Sequence, residues 1–175
     1  MDAIKHKIGY VSEDRKNQGV IQTMPIDFNI TLPIIEQISR ASFVDTQKEK
    51  QIVKKQVDDM SIKTPSYKQL TKNLSGGNQQ KVVLGKWLAS DVDILFLDEP
   101  TRGIDVGSKQ EIYKLISRLA EQGKAIILIS SEMEELLGLT DRMLVLYEGN
   151  CMGALEKSEY SQEKVLQLAS GETSL

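Results

Sequence analysis

At 175 residues the chain suits one domain with a sizeable core. Its net charge of −3 and pI of about 5.3 argue against nucleic acid as the main partner. The single cysteine, Cys151, and single histidine, His6, exclude a disulfide framework and argue against a zinc site.

No apolar run is long enough to span a membrane, and the N-terminus has lysines but no apolar signal core. The chain therefore reads as soluble and cytoplasmic, with any membrane attachment made through a partner. Ile8-Gly9-Tyr10-Val11 predicts a strand, and Ser12 to Gly19 a polar loop. Residues 20–75 read as mostly helical. Within them, 27–40 carries Phe28, Ile30, Leu32, Ile34, Ile35 and Ile38; Pro33 either opens a helix there or divides the segment. Asp45 is a candidate N-cap for a helix to Met60, with Ile52, Val53, Val57 and Met60 on one face.

Ser75 before Gly76-Gly77 reads as the N-cap of a very open helix start. Glycines there let a phosphate approach backbone N–H groups, and the helix dipole favours the anion. Alone, most such tripeptides are plain loops. Val83/Trp87 and Leu84/Leu88 are i,i+4 pairs that bury one side of the helix. Ile94 to Leu97 is a continuous apolar run, the pattern of a strand buried on both faces. It ends in Asp98 and Glu99, which diverge by strand alternation at the end of a parallel sheet where ligands bind. One carboxylate can hold magnesium through its water shell, and the next can orient an attacking water. The plain alternative is a buried strand followed by a charged turn.

Asp105 is a candidate N-cap for a helix to about Gln122 with the stripe Ile112, Leu115, Ile116 and Leu119; Gly123 stops it. Ala125 to Ile129 predicts a buried strand leading into Ser130-Ser131-Glu132. A short helix to Leu139, a strand at 143–147, a return strand at 151–155 and a tail helix to about Ala169 follow, with frayed last residues.

The strings Leu74-Ser75-Gly76-Gly77-Asn78-Gln79-Gln80-Lys81 and Ile94 to Asp105 together resemble the signature and Walker B motifs of ATP-binding-cassette (ABC) ATPases. Glu99-Pro100-Thr101-Arg102-Gly103-Ile104-Asp105 is similar to the second half of the fused ATPase subunits of bacterial ribose- and galactose-type importers. Glu13-Asp14-Arg15-Lys16 before Gly19 fits the same subgroup. The resemblance runs from about Asp2 to about Gly171. It implies an α/β, P-loop NTPase-like core sheet with an inserted helical signature subdomain, in a single but incomplete nucleotide-binding domain. Its parts would be the Q-loop strand and loop (1–19), the helical subdomain (20–90), the catalytic core (91–155) and a C-terminal tail (156–175).

By the same resemblance, Ser75, Gly76, Gly77, Asn78 and Gln79 would close over ATP held by another half. Asp98 would hold Mg2+ through water, and Glu99 would serve catalysis. Asp105 takes the D-loop position, with a plain N-cap as its alternative. Two positions depart from the family. Glu13 stands where a glutamine is usual, with an exposed loop acid as its plain reading, and Ser131 stands at the switch-histidine position. No Gly-x-x-x-x-Gly-Lys-[Ser/Thr] occurs. The chain looks like the final part of a longer protein, with the phosphate-loop strand due between the strands at 125–129 and 143–147. Alone it is expected to be inactive and marginal or aggregation-prone.

The function implied is that of an ATPase energising monosaccharide import. Its partners would be an N-terminal ABC half or second ABC subunit, permease subunits and, indirectly, a solute-binding protein. It would sit peripherally on the inner membrane face. The degenerate positions imply asymmetry, with this half chiefly lending its signature. The competing readings are an inactive ABC-type interaction or regulatory fragment and, against the charge balance, a nucleic-acid-acting cassette.

Overall fold

The computed structural model describes residues 2–171, in two compact units that divide between Ile129 and Ser130. The expected fraying of the last residues lies outside the described ones. No helix among the described residues is long and apolar enough to cross a membrane.

The first unit opens with α1 (Asp2–Lys5) and β1 (Ile8–Val11). The predicted polar loop is tighter than a loop: Arg15–Gly19 form a π-helical turn, and Arg15 and Gly19 are buried. Asp14 closes it by accepting from the backbone and side-chain N–H groups of Asn17. Next comes α2 (Ile26–Thr31). Buried Asn29 ties it to its neighbours, accepting from Ile21 N at 2.7 Å and donating to Thr71 Oγ1 at 3.0 Å.

Pro33 divides the 27–40 segment, one of its two readings, and the chain is not α-helical between Leu32 and Val44. Pro33 lies in a short 3₁₀ turn, Leu32–Ile34. After it the chain makes a hairpin of β2 (Ser39–Arg40) and β3 (Phe43–Val44). Proline cannot donate to the helix ladder. Ala41 and Ser42 both take positive φ (49° and 67°), as a primed two-residue hairpin turn requires. The apolar spacing at 34, 35 and 38 mimicked a helix face. Then α3 (Thr46–Asp59) starts where predicted, with Asp45 accepting from Gln47 N and Lys48 N. Val53, Val57 and Met60 are buried.

Ser75 caps α4 (Gly76–Ala89), which packs against α2 and α3. It is followed by β4 (Ile94–Asp98), α5 (Val106–Glu121) and β5 (Ala125–Ile129). The three strands form a parallel sheet in the order β1-β4-β5. Its Gly9/Val11/Leu95/Leu97 face is fully buried: a Cβ on Gly9 would lie 3.1 Å from the Trp87 ring. The opposite face is apolar but open. Tyr10, Phe96 and Ile127 are in register, and Tyr10 (49%), Ile127 (44%) and Ile129 (49%) remain exposed. The expectation of burial on both faces is thus met on one face only at 94–97, and on neither at 125–129, where Ile126 and Leu128 are half-buried. The sequence carries the apolar side chains; the described residues of this unit do not cover them.

In the second unit α6 (Met133–Leu139) precedes an antiparallel pair, β6 (Arg142–Tyr147) and β7 (Asn150–Glu156), and then α7 (Gln162–Ala169). Met143, Val145, Leu155 and Val165 form its core, while Leu144 and Leu146 on the other side of β6 are exposed.

Candidate functional site

The site grows from the start of α4. Ser75 is exposed, and its Oγ accepts from the Asn78 side-chain amide at 3.0 Å and from Asn78 N. Asn78 Oδ1 accepts from Lys63 N at 2.9 Å. Behind this exposed tip, Gln79 is buried and donates to the carbonyls of Thr71 and Leu74. Lys81, also buried, donates to Glu111 on α5 at 2.7 Å. That bond, with Lys63 second, holds the Glu111 carboxylate below its ordinary value of 4.5. A depressed carboxylate stabilises the fold above its unfolded value and loses that contribution as pH falls. Acidification from pH 7 to 3.5 should therefore lower the denaturant midpoint more in the wild type than in Glu111→Gln.

The glycine pair has reasons of its own inside the chain. A Cβ on Gly76 would lie 2.8 Å from Arg15 Nη2, and one on Gly77 2.6 Å from Ser108 Cβ. Phosphate approach is therefore not needed to explain either glycine. Gly77→Ala should destabilise by about 1–3 kcal/mol through overpacking. Adding Ser108→Gly should recover part of that loss in the same thermal-melt comparison, since it removes the atoms in the way.

At the end of the central strand, Asp98 accepts a 2.7 Å hydrogen bond from Tyr10 OH. This bond pushes the Tyr10 hydroxyl above its usual value, because ionisation would break it. Strand alternation stops at Asp98, for Glu99 turns into the left-handed region with φ +46°. A non-glycine residue held there costs about 1–3 kcal/mol and marks a constrained turn. Glu99 N donates to Ile129 O at 2.8 Å and its carbonyl accepts from Arg102 N. The turn continues through Gly103, φ +65°, to Asp105, which caps α5 by accepting from Ser108 N at 2.9 Å. The Ser108 N–H and hydroxyl hold Asp105 below the usual carboxylate range.

Glu13, before the π turn, and Arg15, its first residue, reach this loop. Glu13, exposed as its plain reading required, forms an ion pair with the Arg102 side chain. Arg15 is buried, and its guanidinium donates to the carbonyls of Arg102 (2.6 Å) and Gly103 (3.1 Å). Its Nε is buried and meets no acceptor among the described residues. Sequence reasoning used Arg15 only as part of a string and missed Tyr10 altogether. A charged residue in a polar stretch carries no periodic sign of burial.

Within the first unit, then, the start of α4, the start of α5 and the 98–105 loop are in contact through Arg15, Gly76, Gly77 and Ser108. Ser131 belongs to the second unit, exposed, just before α6; the neighbouring Ser130 Oγ accepts from Glu132 N. No group of three or more His, Cys, Asp or Glu among the described residues could cage a metal. A lone partly exposed carboxylate such as Asp98 fits magnesium, which keeps most of its waters and takes phosphate oxygens.

The family described as ABC transporter matches residues 1–102. The xylose import ATP-binding protein XylG of Thermoanaerobacter pseudethanolicus is 49% identical over 170 residues, covering 97% of this chain and 34% of that protein. The ribose import ATP-binding protein RbsA of Bacillus cereus is 46% identical over 171 residues, covering 98% and 35%. The chain thus spans about a third of the length of these relatives. Among solved structures, the dimeric ATP-binding cassette MJ0796, in a post-hydrolysis state bound to ADP and Pi, superposes with a TM-score of 0.72. The match covers 87% of this chain and 64% of that one at 20% identity, a likeness of fold.

Proposed function

The chain belongs to the ABC transporter family, and from that premise we propose that it carries the signature and catalytic carboxylates of an ATPase energising monosaccharide import. The observation that carries this reading is the placement, in one unit, of a capped, exposed helix start beside the loop that follows the central strand. Ser75 and the first N–H groups of α4 offer an anion site at the positive end of a 14-residue helix. They would close over the γ-phosphate of an ATP held elsewhere. Asp98 would hold Mg2+ through water, with Tyr10 fixing one carboxylate oxygen. Glu99, set apart by its left-handed backbone, would orient the attacking water, and Asp105 would meet the partner half. When bound, Mg2+ supplies neutralisation of the charge developing on the phosphates.

The sequence holds no phosphate-cradling loop. That cradle would come from an N-terminal half of the same subunit or from a second ABC subunit. Permease subunits would dock on the assembly at the inner face of the membrane and receive sugar from a solute-binding protein. The full-length subunit, reconstituted with its permease, should show Mg2+-dependent ATP turnover that rises with sugar-loaded binding protein. Permease association without turnover would overturn this reading.

A second reading, an inactive interaction fragment, has its own support. Ser131 stands at the switch position, and the carboxylate at the Q-loop position is engaged by Arg102. An antibody to the C-terminal segment separates the two. A native polypeptide of 19.6 kDa favours the fragment, and a much larger one the fused ATPase.

A further inference from the structure

We propose that Arg15 is a positioning residue that clasps the start of α4 to the 98–105 loop, so that the 13–20 segment moves both together. Its consequence for turnover rests on the ATPase reading; the clasp itself rests on geometry. One buried guanidinium meets three backbone sites. Nη1 and Nη2 hold the carbonyls of Arg102 and Gly103, and Nη2 lies 2.8 Å from where a Cβ on Gly76 would stand. Glu13 grips the Arg102 side chain from the same segment.

The turn that carries Arg15 is fixed to α4 a second time, at its far end. Lys86 Nζ donates to Gly19 O at 2.5 Å, and a Cβ on Gly19 would lie 2.9 Å from Val83 Cγ2. The π turn thus lies along the signature helix from Gly76 to Lys86, and the guanidinium is its bridge to the carboxylate loop. Single-turn π segments recur at functional sites.

Arginine is the residue type this requires. Its planar fork serves two carbonyls at once, where a lysine ammonium acts as a single point. In the ATPase reading the signature faces one nucleotide, while Asp98 and Glu99 serve the other. Arg15 would then make the two sites respond as one.

The test compares the full-length wild type with Arg15→Gln and Arg15→Lys by hydrogen exchange and ATPase kinetics. Both variants should raise amide exchange about tenfold in residues 76–79 and 103–108 together, with α3 unchanged. Turnover should fall about tenfold in kcat with little change in KM, and lysine should not rescue it. Exchange that rises in one segment only, in neither, or equally throughout the fold would overturn the clasp. Full rescue by lysine would overturn it too. If the wild type itself shows no turnover, the ATPase reading fails, and the exchange result still decides the clasp.

Discussion

Ser75→Arg in the full-length subunit should cut ATP turnover on the order of 10²-fold, the scale of losing a preorganised donor at a developing anion, and more than Glu99→Gln does. Ser75 is exposed at the tip of α4, and its own bonds are local, to Asn78. Removing that cap costs about 1 kcal/mol of stability, too little to unfold the domain. A cationic side chain there would occupy the space in which, on the proposed reading, the helix start would meet phosphate. Ser75→Ala separates the effects: it loses the cap and the hydroxyl but leaves the space and the backbone N–H groups open, so it should lose less turnover than Ser75→Arg.

On the proposed reading Glu99 should matter less, because two positions of the chain depart from the family resemblance. Glu13 places a carboxylate where the family resemblance expects an amide, and Ser131 cannot do the work of an imidazole. Steady-state ATPase rates and thermal melts of the three variants decide the matter. A larger loss in Glu99→Gln than in Ser75→Arg would refute the asymmetry between the halves.

How much of this was legible in the sequence depends on the kind of signal. The caps were, because Asp45, Ser75 and Asp105 act within three residues of themselves. The central strand was, because four consecutive apolar residues followed by Asp98-Glu99 leave few alternatives. The hairpin at 39–44 was not, because Ile34, Ile35 and Ile38 imitate a helix face and the turn is made by Ala41 and Ser42 instead of glycine or asparagine. The clasp was not, because Arg15 meets residues 87 and 88 positions away, through backbone carbonyls that no side-chain pattern encodes. The glycines were legible as glycines, but their packing against Arg15 and Ser108 was not.

The 175-residue chain by itself should associate in solution and should lack a cooperative transition above about 60 °C, near the upper range of ordinary domains. The reason lies in each unit separately. In the first, among the described residues, β5 is bonded on one side only, to β4, so one ladder edge is open to pairing with another chain. Next to that edge stand Ile127 and Ile129, with Tyr10 across the sheet, all more than two-fifths exposed. In the second unit, Leu144 (67%) and Leu146 (64%) face outward from β6. Each unmade ladder bond forfeits about 1 kcal/mol, and a handful compares with a total stability of about 5–15 kcal/mol. An apolar face beside an open edge is also the arrangement that templates aggregation. Light scattering and calorimetry on the isolated chain test this, with the double variant Ile127→Thr/Ile129→Lys as the control. That variant should stay monomeric at higher concentration with its helical content intact, because neither residue is buried. A soluble wild-type monomer that melts cooperatively above about 60 °C would show that these surfaces are harmless, and that the fold needs nothing laid over them.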